Sequence, residues 1–458
     1  MTTARLQRFF QRKFVQDTLA LQVSKLGITG LSFVSSIIIT RLMGDTAFGT
    51  WGLVQALFLL VQALNLTGIG TSTVSRLAVA VGARNESEIL DLMGYYVRVL
   101  LLWSLVSIVG LALAGPPLAR LMYDGDAHIG MLAALYSLTI PADGIYGLVV
   151  IALQSRRSMR EVAVLQNVNQ IVLVVCALVA LAISPTADAM VIGRLAYSYL
   201  TMALGLWVYW RLRVGERGTY PPFRDVLSRA RTVPLGSYWR FGVANALDKN
   251  FALIYTQLPM TLVGAVWGKE AAGHLNLALT ALGRLSFFTS AIYDNMQAVV
   301  PQAVGRGDFV GLRRNFLRAL AALTVSGTGF FLALAIIAPL VVPPIYGDEW
   351  IPAIPLIQAL CIYGAVTTAG GIFGPLYRAF EQMRAALAAK IAATVIMLPL
   401  GVALVMSMGA LGGAWMINGM YGLSIAFTAV FTLRALYSKA GSRREVREGN
   451  QAEIEISG

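Results

Sequence analysis

Most of this chain is apolar, so groups able to do chemistry stand out where a charge or an amide interrupts a long apolar stretch. Lys25, Lys249 and Arg284 are the basic interruptions of most interest, and Asp143, Asp248 and Asp294 the acidic ones. Placing such a charge at the centre of a membrane helix costs roughly 2.5–3.5 kcal/mol on insertion scales, so it normally faces a partner or a wet interior. On a helix, Lys25, Thr29, Ser32, Ser36 and Thr40 fall on one narrow face, as do Asn245, Lys249 and Thr256. Gln55, Gln62 and Asn65 share a side of the next stretch, and Gln166, Asn167, Asn169 and Gln170 crowd another. A helix with a polar stripe in an otherwise apolar sequence turns that stripe inward. The two ammonium groups of Lys25 and Lys249, on inward faces, suit a ligand carrying phosphate or carboxylate; Arg284 lies deep in its span, where it could also be half of a structural ion pair. Plainer readings stand beside this one. Lys249 has Asp248 as a neighbour, Lys25 and Asp294 lie near helix ends where they can snorkel, and membrane amides often bond neighbouring helices.

Other chemistries find no support. There is no phosphate-binding loop: Gly264-Ala-Val-Trp-Gly268-Lys269-Glu270 is one residue short and ends in Glu. No GxSxG, HExxH or CxxC occurs. The two histidines, His128 and His274, lack a ligand partner three or four residues on, and Cys176 and Cys361 sit in separate apolar runs. The sequence therefore predicts no metal, no cofactor and no enzyme. Transport would need a proton or sodium gradient, mass action, or downstream consumption of the product; Asp143, Asp294 and Asp248 are the ion-coupling candidates.

The elements that must carry these residues follow from composition. Of 458 residues, 57% are hydrophobic and 13% charged, about half the charge of an ordinary soluble chain. That excludes a soluble globular enzyme and a disordered chain. A spanning helix needs about 20 apolar residues, which predicts twelve, near 18–42, 48–70, 91–114, 129–153, 162–184, 187–210, 238–264, 271–297, 316–340, 352–377, 387–408 and 410–434. Of the 36 Lys and Arg, 28 fall in the termini and alternate connections, 3 on the other side and 5 within spans. The positive-inside rule then places both termini in the cytoplasm. The net charge of +13 is mostly a topology signal and gives no reason to invoke nucleic acid.

A shift of 224 residues aligns the chain with itself. Gly44-Asp-Thr-Ala-Phe-Gly49 falls on Gly268-Lys-Glu-Ala-Ala-Gly273, Lys25 on Lys249, and Met159-Arg160 on Met383-Arg384. The chain thus divides into two six-helix lobes, 1–215 and 238–437, with a cytoplasmic linker at 216–237 and a tail at 438–458. An even helix number gives the halves the same orientation, and parallel repeats of this kind are a transporter architecture with the substrate path between them. The predicted fold class is an all-α polytopic membrane protein.

The segment Arg41-Leu-Met-Gly44-Asp-Thr-Ala-Phe48-Gly49-Thr-Trp-Gly-Leu, followed by Leu66-Thr-Gly68-Ile-Gly70 and Arg76-Leu-Ala, resembles the signature of the polysaccharide transport family. These are the Wzx-type oligosaccharide flippases of the multidrug/oligosaccharidyl-lipid/polysaccharide superfamily. The resemblance implies movement of an undecaprenyl-diphosphate-linked sugar repeat from the cytoplasmic to the outer leaflet of a bacterial inner membrane, by alternating access. It also implies membrane lipids, a polysaccharide polymerase and chain-length machinery as partners. Lys25, Lys249 and Arg284 would contact diphosphate or acidic sugars. Multidrug antiporters share the fold and are the alternative. A membrane-embedded glycan polymerase is disfavoured by the short external turns.

Overall fold

Inside lipid a backbone N–H or C=O has no water to bond, so only helices or closed barrels cross. The computed structural model is helical throughout its described residues and shows no strand among them. It describes residues 13–456 apart from 66–67, 157, 216–219, 236–238, 286–292, 294–295, 297–298 and 302; side chains of 13–26, of 439–456 and of some positions between are also outside the description. Fourteen helices of seven residues or more are labelled here in chain order. They are α1 (Lys13–Ala63), α2 (Ile69–Gly82), α3 (Glu86–Met122), α4 (Ala127–Ser137), α5 (Thr139–Ser155), α6 (Met159–Ile183) and α7 (Ala187–Gly215). There follow α8 (Phe223–Ala230), α9 (Trp239–Leu285), α10 (Phe309–Tyr346), α11 (Ile354–Gly370), α12 (Phe373–Ala379), α13 (Met383–Met408) and α14 (Ala410–Ile456).

Ten helical runs among the described residues are long and apolar enough to cross a membrane, where the sequence predicts twelve. The difference arises in two runs, Gly27–Ala63 and Asn250–Gly283. Each contains a glycine with non-helical backbone: Gly44 at φ 68°, ψ 176° and Gly268 at φ 80°, ψ −175°. That region is open essentially only to glycine. The expected spans 18–42 and 48–70 lie on either side of the first break, and 238–264 and 271–297 on either side of the second. The two breaks are 224 residues apart, so the duplication read from sequence recurs as backbone conformation.

The chain forms two compact units, Met1–Gln257 with Gly268–Gly273, and Leu258–Trp267 with His274–Gly458. In unit 1, α1 packs along α6, α3 pairs with α4, and α7 with α5 and α6. Its main core gathers Leu77, Leu92, Met93, Val97, Leu148, Leu153 and Leu165. The α3–α4 approach is close enough that a side chain at Gly115 or Gly130 would strike the other's carbonyl.

The connection after α7 is more than a linker. Helix α8 lies against α3 with Val226 and Ala230 buried. Arg229 pairs with Asp91, and Arg98 donates to the Arg231 and Val233 carbonyls, the open C-terminal end of α8. Tyr220 bonds the Ala152 carbonyl at 2.7 Å and Ser155 Oγ at 2.7 Å.

In unit 2, α13 and α14 form a hairpin around Gly409 (φ 64°), with Gly412 against the Leu404 carbonyl. Helix α11 packs between α10 and α14. Phe316, Phe373, Ile372 and Leu376 fill its core, and the fully buried Trp350 sits edge-on to His274.

Candidate functional site in the polar interior of unit 1

Helix α7 shows which face of a span meets lipid. Ile192, Ala196, Leu200, Ala203, Trp207 and Trp210 are exposed at helical spacing, while Met190, Tyr197, Ser198, Thr201 and Tyr209 are buried on the opposite side. Arg194 lies in the middle of that buried stripe. Its Nη2 donates to Asp143 Oδ2 of α5 at 3.1 Å, yet the side chains of Arg194 and Asp143 keep 23% and 37% exposure. A charged pair with residual exposure on the face turned away from lipid is where a span can admit a polar ligand or water. The guanidinium lies 4.4 Å over the Tyr197 ring, a contact that the three-residue spacing on one helix favours. Tyr197 in turn donates to Asn169 Oδ1 of α6 at 3.0 Å. One nitrogen of the pair stays unsatisfied: Arg194 Nε is buried with no acceptor among the described residues. A guanidinium has five N–H donors, so the site holds more donors than the carboxylate consumes.

Helix α1 packs against α6 and touches α7. Ser32 is buried and its carbonyl accepts from Ser35 Oγ at 3.0 Å; Ser36 Oγ donates to the Phe33 carbonyl at 2.8 Å. Gly27, on the face of α1 opposite its polar stripe, lies beside the Asn167 amide of α6, with 4.0 Å between the amide oxygen and an idealised Cβ. Gln55 is half-buried in the second part of α1. Gln62 accepts from Trp103 Nε1 at 3.1 Å, and its own Nε2 is buried without a partner among the described residues. Asn250 closes the end of α1 by donating to the Ala63 and Asn65 carbonyls, both at 2.8 Å.

The site expected from sequence is thus placed only in part. Ser32, Ser36, Gln55, Gln62 and Asp143 are described, and all belong to unit 1. Asp294 and the side chains of Lys25, Asn245, Asp248, Lys249 and Arg284 lie outside the described residues. Three contributors were not singled out by sequence reasoning. Arg194 entered only as a charge within a span, although Arg194 and Tyr197 at i and i+3 were a legible pair. Asn250 and Arg98 act on segments 185 and 133 residues away, and no local pattern signals such partners.

Comparison with known proteins bears on the identity of this chain. The polysaccharide biosynthesis protein family matches residues 38–355. A membrane protein of the cps region in Klebsiella pneumoniae is 21% identical over 432 residues, covering 93% of this chain and 81% of that protein. The lipopolysaccharide biosynthesis protein WzxC of Escherichia coli K12 is 21% identical over 386 residues, covering 81% and 71%. Among solved structures, an inward-facing multidrug resistance MATE family transporter of the MOP superfamily superposes with a TM-score of 0.65 at 16% identity, over 92% of this chain and 99% of that one. The eukaryotic MATE transporter AtDTX14 gives 0.66 at 13% identity, over 94% and 99%. These two likenesses establish the fold. The segment Arg41–Leu53 that carries the resemblance lies within the matched region, and the chain belongs to the polysaccharide biosynthesis protein family, as a multi-pass membrane protein with the MATE-like fold of the MOP superfamily.

Proposed function

We propose that this protein is a flippase moving an undecaprenyl-diphosphate-linked oligosaccharide from the cytoplasmic to the outer leaflet of a bacterial inner membrane. The observation that carries the reading is the family match across residues 38–355. The charged and polar groups around Arg194 and Asp143 support it. A lipid-linked sugar can leave its tail in the bilayer while its head passes through a polar interior, to which these groups would contribute. In this reading Lys25, Lys249 and Arg284 hold the diphosphate or acidic sugars. Ser32, Ser36, Asn245, Gln55 and Gln62 meet sugar hydroxyls. Asp143, Asp248 and Asp294 are the groups through which a proton or sodium gradient would act. The lobes are 1–215 and 238–437, and both termini are cytoplasmic on the charge split. A polymerase and chain-length machinery acting on the exported repeat are the natural partners. Multidrug antiport is the second reading, favoured by likeness of fold.

Complementation of a flippase-null strain tests the proposal. The expected result is restored surface glycan. Loss of about tenfold or more is expected in Lys25→Ala and Lys249→Ala, with membrane insertion unchanged. Failure of the intact protein to complement in strains supplying several different repeats, together with drug efflux, would replace the flippase reading by the antiporter. Wild-type export in the double lysine variant would remove the lysines from the site.

A further inference from the structure

Residues Gly268–Gly273 belong by packing to unit 1, although the chain immediately before and after them belongs to unit 2. This short segment is seated, locked and hinged by distinct devices.

The seat is a backbone crossing. A Cβ added at Gly49 would overlap the Lys269 carbonyl, and one added at Gly273 would overlap the Asp45 carbonyl. Under the 224-residue shift Asp45 corresponds to Lys269 and Gly49 to Gly273. The two contacts are therefore reciprocal, as at a local twofold axis. Only glycine lets the two backbones come this near.

The lock is an ion pair. Lys269 Nζ lies 2.6 Å from Asp126 Oδ2. The other carboxylate oxygen, Oδ1, accepts the His128 N–H at 2.8 Å and so caps α4. His128 Nε2 meets Asp188 Oδ1 at 2.8 Å, tying the start of α4 to the start of α7. The lock is not duplicated in sequence: Asp45 and Trp350 stand at the positions corresponding to Lys269 and Asp126.

The hinge is Gly268, at φ 80° with open space where its Cβ would be. Just before it, Trp267 is fixed in unit 2 by donating to the Val405 carbonyl at 2.8 Å. The lock side chains are 36% and 28% exposed. A pair this accessible shifts an equilibrium by only a factor of a few, so it can hold a segment without making its release slow.

We propose that Gly268–Gly273 is a releasable strap, seated on Gly49 and locked by Lys269–Asp126, whose unseating is a required step of the transport cycle. It lies on the side opposite the termini in the proposed topology. The inference rests on the transporter reading above, but the exchange measurement below does not.

Two measurements test it. In a Cys176→Ser, Cys361→Ala background, Asp126→Cys with Lys269→Cys is bridged by a short bis-methanethiosulfonate, each thiolate displacing a methanesulfinate to leave a reducible disulfide. In proteoliposomes, substrate translocation should fall at least tenfold and recover on reduction. Translocation at the unbridged rate in the bridged protein would overturn the strap. Hydrogen exchange on the full chain reads release without any substrate. Amides of 268–273 should exchange several-fold faster in Asp126→Asn than in wild type, and protection should return in the exchanged pair Asp126→Lys with Lys269→Asp. Equal exchange in all three would overturn the lock whether or not the protein transports. If the unbridged protein moves no lipid-linked oligosaccharide while exchange responds as expected, the flippase reading fails and the Lys269–Asp126 lock stands.

Discussion

Arg194–Asp143 and Lys269–Asp126 are two ion pairs of the same unit with similar exposure, 23% and 37% against 36% and 28%. Their surroundings differ. The first joins two spans in the middle of a buried stripe; the second joins the cap before α4 to the break at Gly268. Exposure at a helix end is ordinary, because bulk water is near. Within a span bulk water is distant, so a charge there has no ready solvent if its partner is lost. The comparison teaches that accessibility alone does not rank ion pairs in a membrane protein. What ranks them is what replaces the partner when it leaves: ligand or trapped water for Arg194, bulk water for Lys269.

The comparison breaks or sharpens under substitution. The largest effect is expected for Arg194→Leu, which strands Asp143 within a span. A fully buried pair loses about 3–5 kcal/mol on such truncation. With partial exposure, about 2–3 kcal/mol is expected, read as a lowered thermal transition in detergent. Arg194→Leu with Asp143→Leu should lose less than the sum of the single variants, and strict additivity would show that the two charges do not interact. Next is Gly49→Ala, where the added methyl meets the Lys269 backbone; about 1–3 kcal/mol is expected. Gly30→Ala, with nothing near its Cβ, should be neutral or slightly stabilising. Lys269→Gln should cost below about 1 kcal/mol, and an effect matching that of Arg194→Leu would erase the distinction drawn here.

The smallest effect is with pH. Burial pushes the Asp126 carboxyl up, but the Lys269 hydrogen bond, the His128 N–H and the charges of Lys269 and His128 outweigh it and hold it below its usual 3.8. A depressed carboxylate contributes its full stabilisation above the unfolded value and loses it as pH falls through the folded value. The lock should therefore be unchanged from neutral pH down to about the usual carboxylate range and weaken only below it. Weakening of strap protection between pH 7 and 5 would contradict the assignment of Asp126 as the group that holds Lys269.

Much was legible without coordinates, for reasons particular residues show. Gly44 and Gly268 stood out as a repeat, and their shared backbone conformation follows from glycine's lack of a Cβ. The polar stripe from Ser32 to Ser36 was visible because helical periodicity is local. The count of helical runs was less secure, because a glycine that redirects a helix does not end it. The docking of α8 was not legible at all: Arg98 reads as a charge near a span end, and its acceptors lie 133 and 135 residues away.

The sequence by itself determined that this is a helical membrane protein of duplicated origin, because apolar run length, glycine position and charge placement are one-dimensional properties. Only the tertiary structure decided which charges meet. Asp143 and Arg194 are 51 residues apart, and Lys269 is 143 from Asp126. No local pattern links such positions; helix packing brings them within bonding distance and decides whether water reaches them.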